Sequence, residues 1–167
     1  HAAAASVAHS TRTGSVRAMT IEQAYAEVER LTRRRARNFA YGIMVLPREK
    51  RRAIAAIYAF ARRVDDVADD ADLPPDEKRE QLEQLRAGLA SPGDDAPSVA
   101  LADARRRFAI PDHALHALVD GGLQDLEQTR YATFEELRGY CAKVAGAVGV
   151  ACRIDVSSER SSESGSR

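Results

Sequence analysis

A helix drawn through YAFARRVDDVADD, residues Tyr58 to Asp70, sets two carboxylates, Asp65 and Asp69, one turn apart on the side of the wheel that its apolar neighbours mark as buried. At about 100° per residue, Ile54, Ile57, Ala61 and Ala68 cluster on that side and Asp65 falls among them, with Asp69, Arg62 and Tyr58 just beside it. Arg63, Asp66 and Asp70 project the opposite way, where water solvates them. An ionised carboxylate on a buried face is several kcal/mol unfavourable unless it is paired or bound to a metal. Any fold for this chain must therefore supply a partner for Asp65 and Asp69. One answer is an Arg62–Asp ion pair, or a helix end frayed into water. The other is a divalent cation: carboxylates at i and i+4 point the same way, and Mg²⁺ accepts hard oxygen ligands while leaving positions for water and phosphate oxygens. The residues alone leave both open.

The rest of the pattern is helical, and the fold class expected is all-α. Thr20 and Gln23 form a capping box, and Ile21, Ala24, Val28 and Leu31 carry one apolar stripe to about Arg37. A second helix follows Pro47 and runs from Arg48 to Asp70, stopped by the acidic turn and Leu73-Pro74-Pro75. Asp76 to Leu89 is highly charged with Leu82, Leu85 and Leu89 as its seam, and is expected to pack outside. Ser91 to Pro97 reads as a surface loop, Val99 to Phe108 as a short helix, and Asp112 to about Gln128 as a helix presenting Leu115, Leu118, Val119, Gly122 and Leu126 inward. Gly121-Gly122 within it calls for close helix approach, a kink or ligand room, because each helical glycine costs about 1 kcal/mol relative to alanine. A last helix opens at Thr133 and Glu136, another capping box, and buries Phe134, Leu137, Cys141, Ala145 and Val148, with Tyr140, Val144, Ala147 and Ala151 alongside. Arg33, Arg34, Arg35 and Arg37 spread around their helix and Arg105, Arg106 and Arg107 sit beside a loop, so these are read mostly as solvated surface.

Composition narrows the function classes. Lys+Arg and Asp+Glu both total 25, so there is no global basic field and nucleic acid is disfavoured as a partner. Trp is absent and alanine does much of the packing in the 167 residues. No run approaches the ~20 apolar residues of a membrane span. Cys141 and Cys152, on one helix, would lie about 16 Å apart, too far to bridge. The four histidines show no metal-ligand spacing. Residues 1–18 begin without Met and contain no acid, and read as a disordered extension before Met19.

Two blocks carry a family resemblance. ARNFAYGIMVLPREKRRAIAAIYAFARRVDDVADD, residues 36–70, joins an aromatic-rich segment (Phe39, Tyr41), an LP, a basic turn (Lys50, Arg51, Arg52) and YAFxRRxDDxxD. GGLQDLEQTRYATFEELRGYCAKVAGAVG, residues 121–149, follows in order. Together they resemble the first part of the squalene/phytoene synthase family, the head-to-head prenyl transferases, over roughly residues 20–151. Within that family the first block and the spacing of Asp125 to Arg130-Tyr131 are most similar to bacterial presqualene diphosphate synthases of hopanoid pathways, with phytoene synthases next.

The resemblance implies a partial isoprenoid-synthase helical bundle and Mg²⁺-dependent condensation of two prenyl diphosphates, farnesyl diphosphate to presqualene diphosphate or squalene. Phytoene formation from geranylgeranyl diphosphate and a noncatalytic helical fragment are the alternatives. By resemblance, Asp65 and Asp69 hold the metal, with Tyr58 and Arg62 as catalytic neighbours. Phe39 and Tyr41 offer aromatic faces to a cation, Asp125 a polar wall near the diphosphate, and Tyr140, Val144 and Val148 a prenyl pocket. A cytoplasmic location with peripheral contact at the inner membrane face goes with such substrates. The family's second acidic cluster, of the DxxED kind, does not follow residue 149. Instead, after Cys152, residues 153–167 read RIDVSSERSSESGSR, a Ser-rich, compositionally disordered tail. The expectation is therefore a truncated or frame-shifted chain with weak or absent turnover.

Overall fold

The computed structural model describes residues 19–36, 43, 45–127 and 135. Among the described residues there are five helices and no strand: α1 Ile21–Arg35, α2 Arg48–Ala68, α3 Pro75–Gly88, α4 Ala96–Arg107 and α5 Asp112–Glu127. The expected disordered ends, both cysteines and, apart from Glu135, the helix expected from Thr133 lie outside the described residues.

Local chemistry accounts for where each helix starts. Both arms of the capping box form at α1: the Gln23 amide donates to Thr20 Oγ1 at 3.2 Å, and the Thr20 amide donates to Gln23 Oε1 at 3.0 Å. Pro75 occupies the first turn of α3, where no backbone N–H is needed. α4 begins three residues earlier than expected, so the loop read as Ser91 to Pro97 ends sooner. The reason is Asp95, whose carboxylate accepts from the Ser98 amide at 3.2 Å and the Ser98 hydroxyl at 2.9 Å, while Pro97 sits harmlessly in the first turn. No helix among the described residues is long and apolar enough to cross a membrane.

α2 is the hub. It packs against α1 and α4 on one side and α3 and α5 on the other, while α1 also meets α4 and α3 meets α5. Its buried face holds Ala53, Ala56, Ile57, Phe60 and Val64. Alanines fill the interfaces: Ala24, Ala53, Ala56, Ala100 and Ala104 are all fully buried. Such small side chains let helix axes approach closely. α3 is the outer layer expected, with Leu82 as its only buried residue. On α1 the buried stripe is Ala24, Tyr25, Val28 and Thr32, so Ile21 lies outside it.

A polar seam joins α1, α2 and α4; Arg106 and Arg107 are exposed, as expected of the arginines beside the loop, yet both also bind a buried acid, while Arg105 is half-buried. Asp103 is 3% exposed and accepts from the Tyr25 hydroxyl at 2.9 Å and from Arg106 at 2.7 Å. It also pairs with Arg107 at 2.8 Å, and Arg107 reaches Glu49 on α2 at 2.9 Å. Burial and the neighbouring Asp103 push the Tyr25 hydroxyl well above the usual phenol range, so it stays a donor. Over the same ring, the Arg52 guanidinium stands 5.0 Å from the centroid and binds Glu22. Arg105 donates to the Leu89 carbonyl and pairs with Asp112 at 2.7 Å. The missed signal was a lone acid in an alanine-rich helix with arginines three and four residues on.

Asp95→Ala is expected to lose about 1 kcal/mol at neutral pH, the usual value of an N-cap. Burial pushes the Asp95 carboxyl up, but the Ser98 bonds and Arg63 together outweigh it and hold the group below the ordinary carboxylate value. A depressed folded pKa means that its stabilisation is complete above the unfolded value and disappears as pH falls through the folded one. Urea unfolding should therefore separate wild type from variant at pH 7 and bring them together as the solution is acidified below the ordinary carboxylate range.

Candidate functional site

The site is built on the C-terminal half of α2. Phe60 and Val64 point into the core, and the flank one residue further round carries Tyr58, Arg62, Asp65 and Asp69. Tyr58 and Arg62 are half-buried; Asp65 and Asp69 are exposed. The placement of Asp65 within the buried face is thus corrected. Because α2 has neighbours on both sides, its core stripe is centred on Ile57, Phe60 and Val64, and the stripe expected through Ile54 and Ala61 is its half-buried border.

The two acids still face the same way. Asp69 is the C-cap of α2 but keeps helical backbone angles, φ −86° and ψ −7°, and its amide donates to the Asp65 carbonyl at 2.8 Å. Arg62 does not close an ion pair on either of them. It bonds Asp66 at 2.5 Å, since i to i+4 is the reach that a helix favours, and its buried Nε has no hydrogen-bond partner among the described residues. Asp65 keeps solvent access, yet the protein packed around its carboxyl raises its pKa. Arg62 pulls the other way, and Asp69, Asp66 and Asp125 push it further up.

The influence of Asp125 follows from how α5 approaches α2. A Cβ built on Gly122 would lie 2.9 Å from Val64 Cγ1 and 3.4 Å from Leu82 Cδ2. Of the three explanations left open for the glycine pair, close approach therefore applies at Gly122. Val64 immediately precedes Asp65, and Asp125 lies one turn beyond Gly122, so this contact brings the acids of two helices into one electrostatic field. Asp125 is exposed on α5. Among the described residues no group of three or more His, Cys, Asp or Glu side chains could hold a metal by itself. Two carboxylates on an open flank match what Mg²⁺ takes, because it keeps several waters and fills other positions with substrate phosphates.

Phe39, Tyr41, Tyr140, Val144 and Val148 lie outside the described residues. A cavity of about 380 Å³, lined by Phe60, Arg63, Leu85, Leu89, Asp95 and Leu101 among others, opens on the opposite side of α2 from the acidic pair. It contains none of the residues expected at the site.

Among the described residues the chain is thus a helical bundle with a DxxxD pair on the flank of its central helix. The squalene/phytoene synthase family model matches residues 32–162, and the chain belongs to that family. It is 47% identical over 134 residues to the phytoene synthase of Mycobacterium tuberculosis, covering 79% of this chain and 44% of that protein. To the 15-cis-phytoene synthase of Synechococcus elongatus it is 39% identical over 139 residues, covering 78% and 44% respectively. The crystal structure of a dehydrosqualene synthase in complex with ligand superposes with a TM-score of 0.70 at 26% identity, covering 79% of this chain and 47% of that one. The chain thus spans a little under half the length of these relatives.

Two substitutions test the packing with opposite signs. Gly122→Ala gains about 1 kcal/mol of helix propensity but overpacks Val64 at a cost of about 1–3 kcal/mol, for a net loss on unfolding. Gly88→Ala, whose Cβ meets nothing within 4 Å, should gain up to about 1 kcal/mol. For Asp65, a folded pKa above the unfolded one means that its ionisation destabilises the fold above the folded value and ceases to do so below the unfolded value. Asp65→Asn in metal-free buffer should raise stability at neutral pH by roughly 0.5 kcal/mol, the scale of a surface change. Thermal unfolding at descending pH should show this gain vanish across the carboxylate range.

Proposed function

We propose that this chain forms part of an enzyme for head-to-head condensation of two prenyl diphosphates, and that Asp65 and Asp69 hold the Mg²⁺ that engages the diphosphate. The observation that carries this reading is the pair of like-facing carboxylates on the α2 flank, next to a third from α5, in a chain of this family. Neighbouring anions repel one another, and a divalent ion reverses the sign of their interaction. When bound, the ion neutralises charge developing on the leaving diphosphate. Asp65 and Asp69 would hold and orient it at the rim of the bundle. Arg62, released from Asp66, would donate to diphosphate oxygens from the same flank. Tyr58, half-buried about two turns before Asp65 on the same flank, would set an aromatic face toward the allylic cation as the carbon–oxygen bond breaks.

The names of the relatives support phytoene as the product, which makes geranylgeranyl diphosphate the favoured substrate. Condensation of farnesyl diphosphate to a presqualene or squalene-type product is the second reading, and the likeness to a dehydrosqualene synthase supports it.

Asp65→Asn and Asp69→Asn should each reduce Mg²⁺-dependent binding of geranylgeranyl diphosphate to the level seen without metal. Isothermal titration of the full chain with and without Mg²⁺ checks this, and wild-type affinity in both variants would overturn the assignment. Farnesyl diphosphate in the same titration compares the two substrate readings.

A further inference from the structure

The last turn of α2 carries the acidic pair under poor conditions. A helix C-terminus is the negative end of the backbone dipole, where cations stabilise and anions do not. Asp65, Asp66 and Asp69 crowd there, followed by Asp70, and the last turn contains no basic residue of its own. The compensating charge comes from the next helix. Lys78 Nζ, half-buried, donates to the Ala68 carbonyl at 2.8 Å.

That carbonyl has no intrahelical donor, being among the last four of its helix. It also belongs to the peptide unit that leads into Asp69. Because a peptide group is rigid and planar, Ala68 C=O and Asp69 N–H move together. Lys78 fastens one end of the plane and the Asp65 carbonyl accepts from the other at 2.8 Å. Lys78 gains nothing from its own helix, since it sits near the N-terminus of α3, the end where a cation is disfavoured. Its position is explained by the reach across to α2.

We infer that Lys78 is a positioning residue for the acidic pair: by capping the Ala68 carbonyl it keeps the final turn of α2 wound and Asp69 on the same flank as Asp65. The inference rests on the reading of Asp65 and Asp69 as the metal-holding pair. Removing the ammonium also relieves a repulsion toward the bound cation. Across a solvated rim that repulsion is screened, so the lost cap decides the sign.

The test uses the full chain, Mg²⁺ with inorganic diphosphate as the probe, and amide exchange of metal-free protein. Lys78→Met should speed exchange at the Asp69 amide and weaken Mg²⁺ binding about tenfold, the lower end of the effect of groups that orient metal ligands. Lys78→Arg, which keeps a capping cation, should restore both. Arg79→Met removes the neighbouring α3 ion pair to Glu127, 2.9 Å long, without touching α2, and should change neither readout. Wild-type or tighter Mg²⁺ binding in Lys78→Met, or an equal loss in Arg79→Met, overturns the inference. Asp65→Asn, run alongside, separates the two readings. If it binds Mg²⁺ like wild type, the metal assignment itself fails; if it loses binding while Lys78→Met does not, only the role of Lys78 fails.

Discussion

The contact between Gly122 and Val64 governs the geometry around the acidic flank. A side chain at position 122 would have to occupy space 2.9 Å from a buried valine methyl that also borders Leu82. With hydrogen there, α5 settles against α2 and α3, and the acid of one helix falls within the field of the acids of another. The same principle operates on the other side of α2. Alanines at Ala24, Ala53, Ala56, Ala100 and Ala104 let α1 and α4 approach it closely without aromatic bulk. Close packing of small residues makes spacing exact to the size of a methyl group, and so fixes the directions of the side chains at the rim.

Electrostatics divides the bundle into two halves. The seam of Glu22, Arg52, Tyr25, Asp103 and Arg107 is a connected chain of bonds with a cation on the ring face and carboxylates at both ends, the buried Arg52 Nε being left without a partner among the described residues. Buried polar groups connected in this way specify one arrangement of α1, α2 and α4. The far end of α2 is the reverse. Its acids stand at the unfavourable end of the helix dipole, Arg62 is drawn to Asp66, and burial with the neighbouring acids raises the pKa of Asp65 above the ordinary carboxylate value. Stability alone does not account for acids gathered there, whereas the proposed engagement of a cation would.

The helices were legible because their punctuation is local. Thr20 with Gln23, the prolines before α2 and α3, and the apolar spacing of Leu115, Leu118 and Val119 act over one or two turns. Where the reading slipped, the reason was also specific. The start of α4 depended on recognising Asp95 as a cap ahead of Pro97. The wheel of α2 was rotated by about one residue, because a helix with partners on two sides buries a wide arc and its centre cannot be taken from its apolar residues alone. Arg106 and Arg107 are at the surface as read, but their pairing with Asp103 was not legible, because an isolated acid within a helix does not announce its burial.

By itself the amino-acid order determined that the chain is helical, where most helices begin and stop, and that Asp65 and Asp69 share one direction. All of these follow from hydrogen bonds and rotations within a few residues. Only the tertiary structure decided which arc of α2 is covered, that Asp125 comes near Asp65, that Arg62 turns to Asp66, and that Lys78 reaches Ala68. Those outcomes depend on how closely separate helices can approach, which is set by the volumes of side chains far apart in the sequence.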